Sequence, residues 1–183
     1  MKPLSIHISK PQTLQAVEMT TAYQAVKNED AVHLYDRVAV VKADHSLLET
    51  FWYDCCAIVD NVLKEYHRHT PCAPPYVPQD DDFHAHLLMP GNWDDTLSSS
   101  VVTSLQAFFV AYMVGRWMAL VWPEATNCHA AQATTHLNQA KHCLEARTRQ
   151  PRPHIHSIKS NDHENETKDN NCSHPSVEEP DDL

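Results

Sequence analysis

The stretch SLQAFFVAYMVGRWMALVW, residues 104–122, is the most apolar run of the chain. The fold turns on whether it spans a membrane, fills a core or meets a partner. A bilayer span needs about 20 apolar residues, and this run reaches that length only with Gln106 near one end and Arg116 well inside. An arginine at mid-bilayer costs roughly 3 kcal/mol on insertion scales. Upstream, Asp95, Ser99, Thr103 and Gln106 fall at steps of four, four and three, a polar stripe expected of a helix that lies on a protein core. Continuing the stripe gives Val110, Met113 and Trp117, so the second half is apolar all round. The run therefore reads as a core helix. Its second half either lies at the centre of a bundle or offers an apolar patch to another subunit, which makes Val110, Met113 and Trp117 interface candidates.

Three further helices surround it in the sequence. Ser9-Lys10-Pro11-Gln12 combines a capping serine, a proline just inside and a glutamine three residues on, which starts a helix running to about Lys27. Leu14, Val17, Ala22 and Val26 are its expected inward residues. Residues 1–8 read as a flexible N-terminus, and Val38-Ala39-Val40-Val41 as either extended chain or a short helix. Asp44 caps a second helix over about 44–68, where Leu48, Phe51/Trp52, Cys55, Ile58/Val59, Val62 and Tyr66 recur at three- and four-residue steps. Glu49, Tyr53, Asp60 and Lys64 take its other side. Pro71, Pro74, Pro75 and Pro78 break any helix, and the acidic run Asp80-Asp81-Asp82 follows. Gly91-Asn92-Trp93-Asp94-Asp95 opens the long apolar helix, with acids at its positive end. Pro123 opens a fourth, alanine-rich helix over about 123–147. The expected fold is thus an all-α bundle of about four main helices, residues 9–150.

The rest of the composition narrows the function. Only two glycines, Gly91 and Gly115, are present in 183 residues, too few for a fold built from many tight hairpins or for a phosphate-cradling loop. The formal net charge is −10, a surface that repels phosphate backbones, so no direct nucleic-acid binding is expected. Residues 151–183 hold few large aliphatics, and Arg152, Lys159 and Lys168 face a large excess of Asp and Glu. Such a segment buries too little to offset its ordering entropy and reads as a disordered acidic tail rich in His, Asp and Asn. The N-terminus lacks the apolar core of a signal peptide. The six cysteines form no CxxC pair, as expected of reduced thiols in a cytosol.

Four segments carry a resemblance: TAYQAVK (21–27), YDRVAVVKADHSLLETFW (35–52), WDDTLSSSVVTSLQAFFVAYMVGRWM (93–118) and ARTRQPRP (146–153). In spacing and residue character the chain resembles small helical proteins encoded among the structural genes of tailed phages and prophages of gut anaerobes. The resemblance implies a non-enzymatic virion structural or assembly protein near the head–tail connector, neck or tail. It implies contact with other phage structural proteins and with copies of itself. It places the chain in the virion, and in the host cytoplasm during assembly. The chain departs from the pattern in its extension after Pro153 and its proline-rich 70–79 loop. Arg147, Arg149 and Arg152, after the fourth helix, either balance that helix's negative end or dock an acidic neighbour, and join the interface candidates.

Two rival readings remain. Fourteen histidines are present. His84-Ala85-His86 would set two imidazoles on one face of a strand with Asp82 nearby, a divalent-metal arrangement in the 80–86 stretch of a metal-binding protein or enzyme. His67, His69 and Cys72 could add ligands. His129 and His136, seven apart on a helix and about 10 Å along its axis, are too distant to share an ion. A membrane-active helical protein is the third reading. No catalytic residue and no cofactor is expected: Cys55 and Cys56 lie on the second helix, Cys55 on its apolar stripe, and no serine sits in a nucleophile elbow.

Overall fold

The computed structural model describes residues 1–27, 37–67 and 82–148. Helices dominate it, in the order β1 (Lys2–Ile8), α1 (Lys10–Lys27), α2 (His45–His67), β2 (Phe83–Met89), α3 (Ser98–Val121) and α4 (Thr126–Glu145). Short 3-10 turns at Lys42–Asp44, Asp95–Leu97 and Pro123–Ala125 lead into α2, α3 and α4. The described residues fall within one unit, Met1–Arg149. The expected tail, 151–183, lies outside the described residues, as do the proline-rich loop, His69 and Cys72.

The decisive apolar run is the axis of the fold. α3 packs along α4 and also against α1, α2 and β1. With its lead-in turn, over Asp95–Val121, it is long and apolar enough to cross a bilayer; one side is buried against the other elements, while Arg116, Ala119 and Leu120 are exposed. The polar stripe is exposed at Asp95, Ser99 and Thr103 and half-buried at Gln106 and Val110. Further along, Met113 is fully buried and Trp117 nearly so. Trp117 Nε1 donates to the Val38 carbonyl at 2.7 Å. Of the two readings, core and interface, burial favours the core for Met113 and Trp117, while Val110 stays half-buried: the stripe fades because the helix enters its own chain's core. Gly115 lies where α3 meets α4. A Cβ there would stand 3.3 Å from the Cβ of His129 on α4, so the missing side chain lets the two helices approach.

α2 has the expected phase. Leu48, Phe51, Trp52, Cys55 and Val59 are buried, joined by Cys56 and Leu63, while Glu49, Tyr53 and Lys64 are exposed. Trp52 meets Phe109 of α3 with ring centroids 4.7 Å apart. The Asp44 carboxylate accepts from the Val41 backbone N–H at 3.0 Å, closing the turn before the helix.

α1 has the expected limits but a rotated face. Its buried residues are Lys10, Thr13, Val17, Thr21 and Ala25, whereas Val26 is exposed and Leu14 and Ala22 are half-buried. The threonines can face inward because their hydroxyls donate to nearby carbonyls, Thr13 to Ser9 at 2.8 Å and Thr21 to Glu18 at 3.0 Å. A buried hydroxyl paired in this way carries little penalty.

The flexible N-terminus expected for 1–8 is corrected to a strand. β1 pairs antiparallel with β2, from Lys2 opposite Met89 to Ile8 opposite Phe83. Leu4, Ile6 and Ile8 alternate inward beside Phe83, Ala85, Leu87 and Met89, and all are buried. A two-stranded ribbon is marginal alone; this one rests on α2 and α3. After β2, Asp94 caps the turn into α3, accepting from the Thr96 N–H at 3.2 Å and its hydroxyl at 2.7 Å. Trp93 is a core residue, its Nε1 donating to the Cys143 carbonyl at 2.9 Å.

Candidate functional site

The alternation that buries Leu4, Ile6 and Ile8 turns Ser5 and His7 outward, and on β2 it turns His84 and His86 outward. Register sets His7 opposite His84 and Ser5 opposite His86. The two imidazoles of the first pair stack, with centroids 4.5 Å apart and planes 15° from parallel. Asp82, the residue before β2, brings its carboxylate to the same end: His7 Nε2 lies 3.0 Å from Asp82 Oδ2. In the second pair Ser5 Oγ lies 3.2 Å from His86 Nδ1.

Asp82 is held from two sides. Its Oδ1 accepts from the backbone N–H of Lys10, the first residue of α1, at 2.8 Å. The His7 hydrogen bond is the main cause holding its carboxyl below the usual aspartate range. Desolvation opposes that shift, and the Lys10 N–H with the nearby His7 and His84 charges supports it. The carboxylate also lies at the positive end of α1, where a negative charge is favourable.

Of the metal candidates Asp82, His84 and His86, the structure brings the first two together with His7, while His86 sits opposite Ser5, one pair further along. The ligand atoms of His7, Asp82 and His84 all lie within 4.8 Å of one another. The physical reason is strand geometry: residues two apart on one strand share a face but sit almost 7 Å apart, while directly opposed residues on paired strands are closer. His7 joins the site only because 1–8 is a strand, for which Leu4, Ile6 and Ile8 carry the period-two signal.

Other candidates take structural places. Arg147 Nη1 donates to the carbonyls of Leu144 and Ala146 at 2.8 and 2.9 Å, closing the end of α4. Arg149 and Arg152 lie outside the described residues. Cys55 is buried, and burial foremost, then Cys56 and Asp54, pushes its thiol well above its ordinary value, which suppresses the nucleophilic thiolate. His129 is almost buried beside Gln24, with its Nε2 2.8 Å from Gln24 Nε2 and 3.2 Å from Oε1. A cleft of about 350 Å³ between α2 and α4 is lined by Asn61, Val62, Glu65, Tyr66, Lys141 and Glu145.

One surface escaped the sequence reading. Met19, Tyr23 and Val26 are each about two-thirds exposed, at 66%, 67% and 66%. At steps of four and three they form one apolar stripe along the side of α1 opposite Val17 and Thr21.

No family model, curated protein or solved structure matches this chain.

Proposed function

We propose that the chain is a structural or assembly component of a tailed-phage particle, near the head–tail junction, acting by protein–protein contact rather than catalysis. The resemblance of the four segments within 21–153 supports the phage assignment. The contact reading is carried by the outward face of α1, where Met19, Tyr23 and Val26 stand exposed.

The occupant of that face is a second copy of the chain. The net charge of −10 makes copies repel in most orientations, yet this face, from Gln12 and Gln15 through Met19 and Tyr23 to Val26, is uncharged. Glu18, at its margin, is engaged by His45 at 2.7 Å. A two-fold pair would oppose the stripe to itself. The three side chains offer on the order of 400 Å² of surface, below what a stable dimer buries per partner. Association is therefore weak and depends on concentration, as suits a subunit recruited into a larger ring.

Light scattering over a concentration series tests this. The wild-type mass should rise with concentration, while Met19→Glu/Tyr23→Glu stays monomeric with unchanged circular dichroism. A wild type that remains monomeric into the millimolar range, or a variant that associates equally well, refutes the α1 contact. For the particle itself, disrupting the gene should leave heads and tails unjoined. Normal infectious particles would refute the assembly role.

A further inference from the structure

We propose that His7, Asp82 and His84 form a binding site for one divalent transition-metal ion of the zinc class, clamping β1 to β2 beside the start of α1. The site goes beyond the contact role and does not depend on it.

The donor set defines the ion. Two imidazole nitrogens and one carboxylate oxygen suit Zn²⁺, Cu²⁺, Ni²⁺ or Co²⁺, whereas Mg²⁺ and Ca²⁺ prefer all-oxygen surroundings. A tetrahedral zinc ion at about 2.0–2.1 Å from each ligand sets its donors roughly 3.3 Å apart. His7 Nε2 and Asp82 Oδ2 already stand at 3.0 Å, and the three ligand atoms lie within 4.8 Å of one another. Closing the remainder takes a side-chain rotation, which the exposed rings of His7 and His84 can make. The ion would take the place of the hydrogen bond between His7 Nε2 and Asp82 Oδ2. Three protein ligands leave at least one position for water or a donor from another molecule.

The surroundings prepare the site. Register fixes His7 against His84, so the two imidazoles are paired before any ion arrives. The Lys10 N–H on Asp82 Oδ1 fixes the carboxylate's orientation and leaves Oδ2 turned towards His7, the role that outer-shell hydrogen bonds play in metal sites. The ligands come from segments 75 or more residues apart in sequence, so an ion bound only by the folded chain raises its stability.

The full chain supplies the test, with ZnCl₂ and CoCl₂ as probes. The wild type should bind one tight equivalent of Zn²⁺ by calorimetry, gain melting temperature on binding, and give a Co²⁺ visible spectrum typical of low coordination number. His7→Gln, His84→Gln and Asp82→Asn should each weaken that equivalent by at least about tenfold and abolish the thermal gain. Asparagine can still accept from the Lys10 N–H, so Asp82→Asn should keep the fold, as circular dichroism without metal will show. His86→Gln, one pair further along the same face, should bind like the wild type. Binding by His7→Gln and His84→Gln equal to that of the wild type would assign the ion to other histidines and overturn the proposal. So would a titration with no saturable single equivalent, or an equal loss in His86→Gln.

Discussion

Two tryptophans of this core differ in one respect that stability measurements can isolate. Trp52 and Trp93 are both buried, at 0% and 1% exposure. The Trp93 Nε1 donates to the Cys143 carbonyl, while the buried Trp52 Nε1 has no hydrogen-bond partner among the described residues. Replacing either with phenylalanine removes on the order of 40 Å³, worth about 1 kcal/mol at about 24 cal/mol per Å³ if the cavity persists. Trp93→Phe also leaves the Cys143 carbonyl without its donor, a further 1–3 kcal/mol or so, for a total of about 2–4 kcal/mol. Trp52→Phe removes an unpaired buried N–H, whose desolvation is of similar size and opposite sign, so the net change stays within about 1 kcal/mol of the wild type in either direction. Trp52→Ala, which removes the ring altogether, should cost about 3–5 kcal/mol. Urea unfolding followed by far-UV circular dichroism measures all three, with unchanged m-values as the check that the unfolding reaction is the same. Equal losses for the two phenylalanine variants would refute the reasoning, because they would mean that the Trp52 N–H is satisfied in the native protein.

Two further outcomes follow from the core. Met113→Glu should abolish the helical signal, since an unpaired carboxylate at a fully buried position costs several kcal/mol against a net stability of about 5–15; a folded variant altered only in its association would return Met113 to an interface. His129 should make stability depend on pH: burial, against a hydrogen bond to Gln132, lowers its folded pKa below the ordinary 6.5, so the unfolded chain binds the proton first. The contribution is intact above about pH 6.5 and is lost as pH falls through the folded value. The wild type should lose more melting temperature than His129→Gln on going from pH 7.5 to pH 5, and parallel losses would remove His129 as the cause.

What the sequence made legible depended on how many neighbours each element has. α2 has one wet face, so Leu48, Cys55 and Val59 repeat at helical spacing and the phase could be read directly. α3 has neighbours on several sides, so its second half lost all periodicity, and an apolar surface without a stripe fits core and interface equally well. Burial decides it: Met113 and Trp117 belong to the core. On α1 the rule that inward residues are apolar failed, because Thr13 and Thr21 satisfy their own hydroxyls while Met19, Tyr23 and Val26 face outward. The face that an apolar count assigns to the core is in part a face left exposed.

The strand pair was the hardest to foresee, since β1 and β2 are far apart in the chain, with α1 and α2 among the described elements between them, and a two-stranded ribbon is marginal alone. Their meeting is fixed by the buried alternation of both strands, and Asp82 ties the end of the pair to α1. Only Ser9 separates β1 from α1, so the carboxylate that accepts from the Lys10 N–H also fixes where β1 ends. Asp82 directly precedes β2, so the same contact lies at the end of the register that sets Phe83 opposite Ile8 and His84 opposite His7. A slip of one residue would turn Phe83, Ala85 and Leu87 to solvent and carry His84 and His86 into the core. The helix cap, the strand register and the imidazole pair are therefore one arrangement. Its polar product, two histidines beside an oriented aspartate, arises wherever this core is correctly packed, which is why a metal site can exist here although no contiguous motif encodes it.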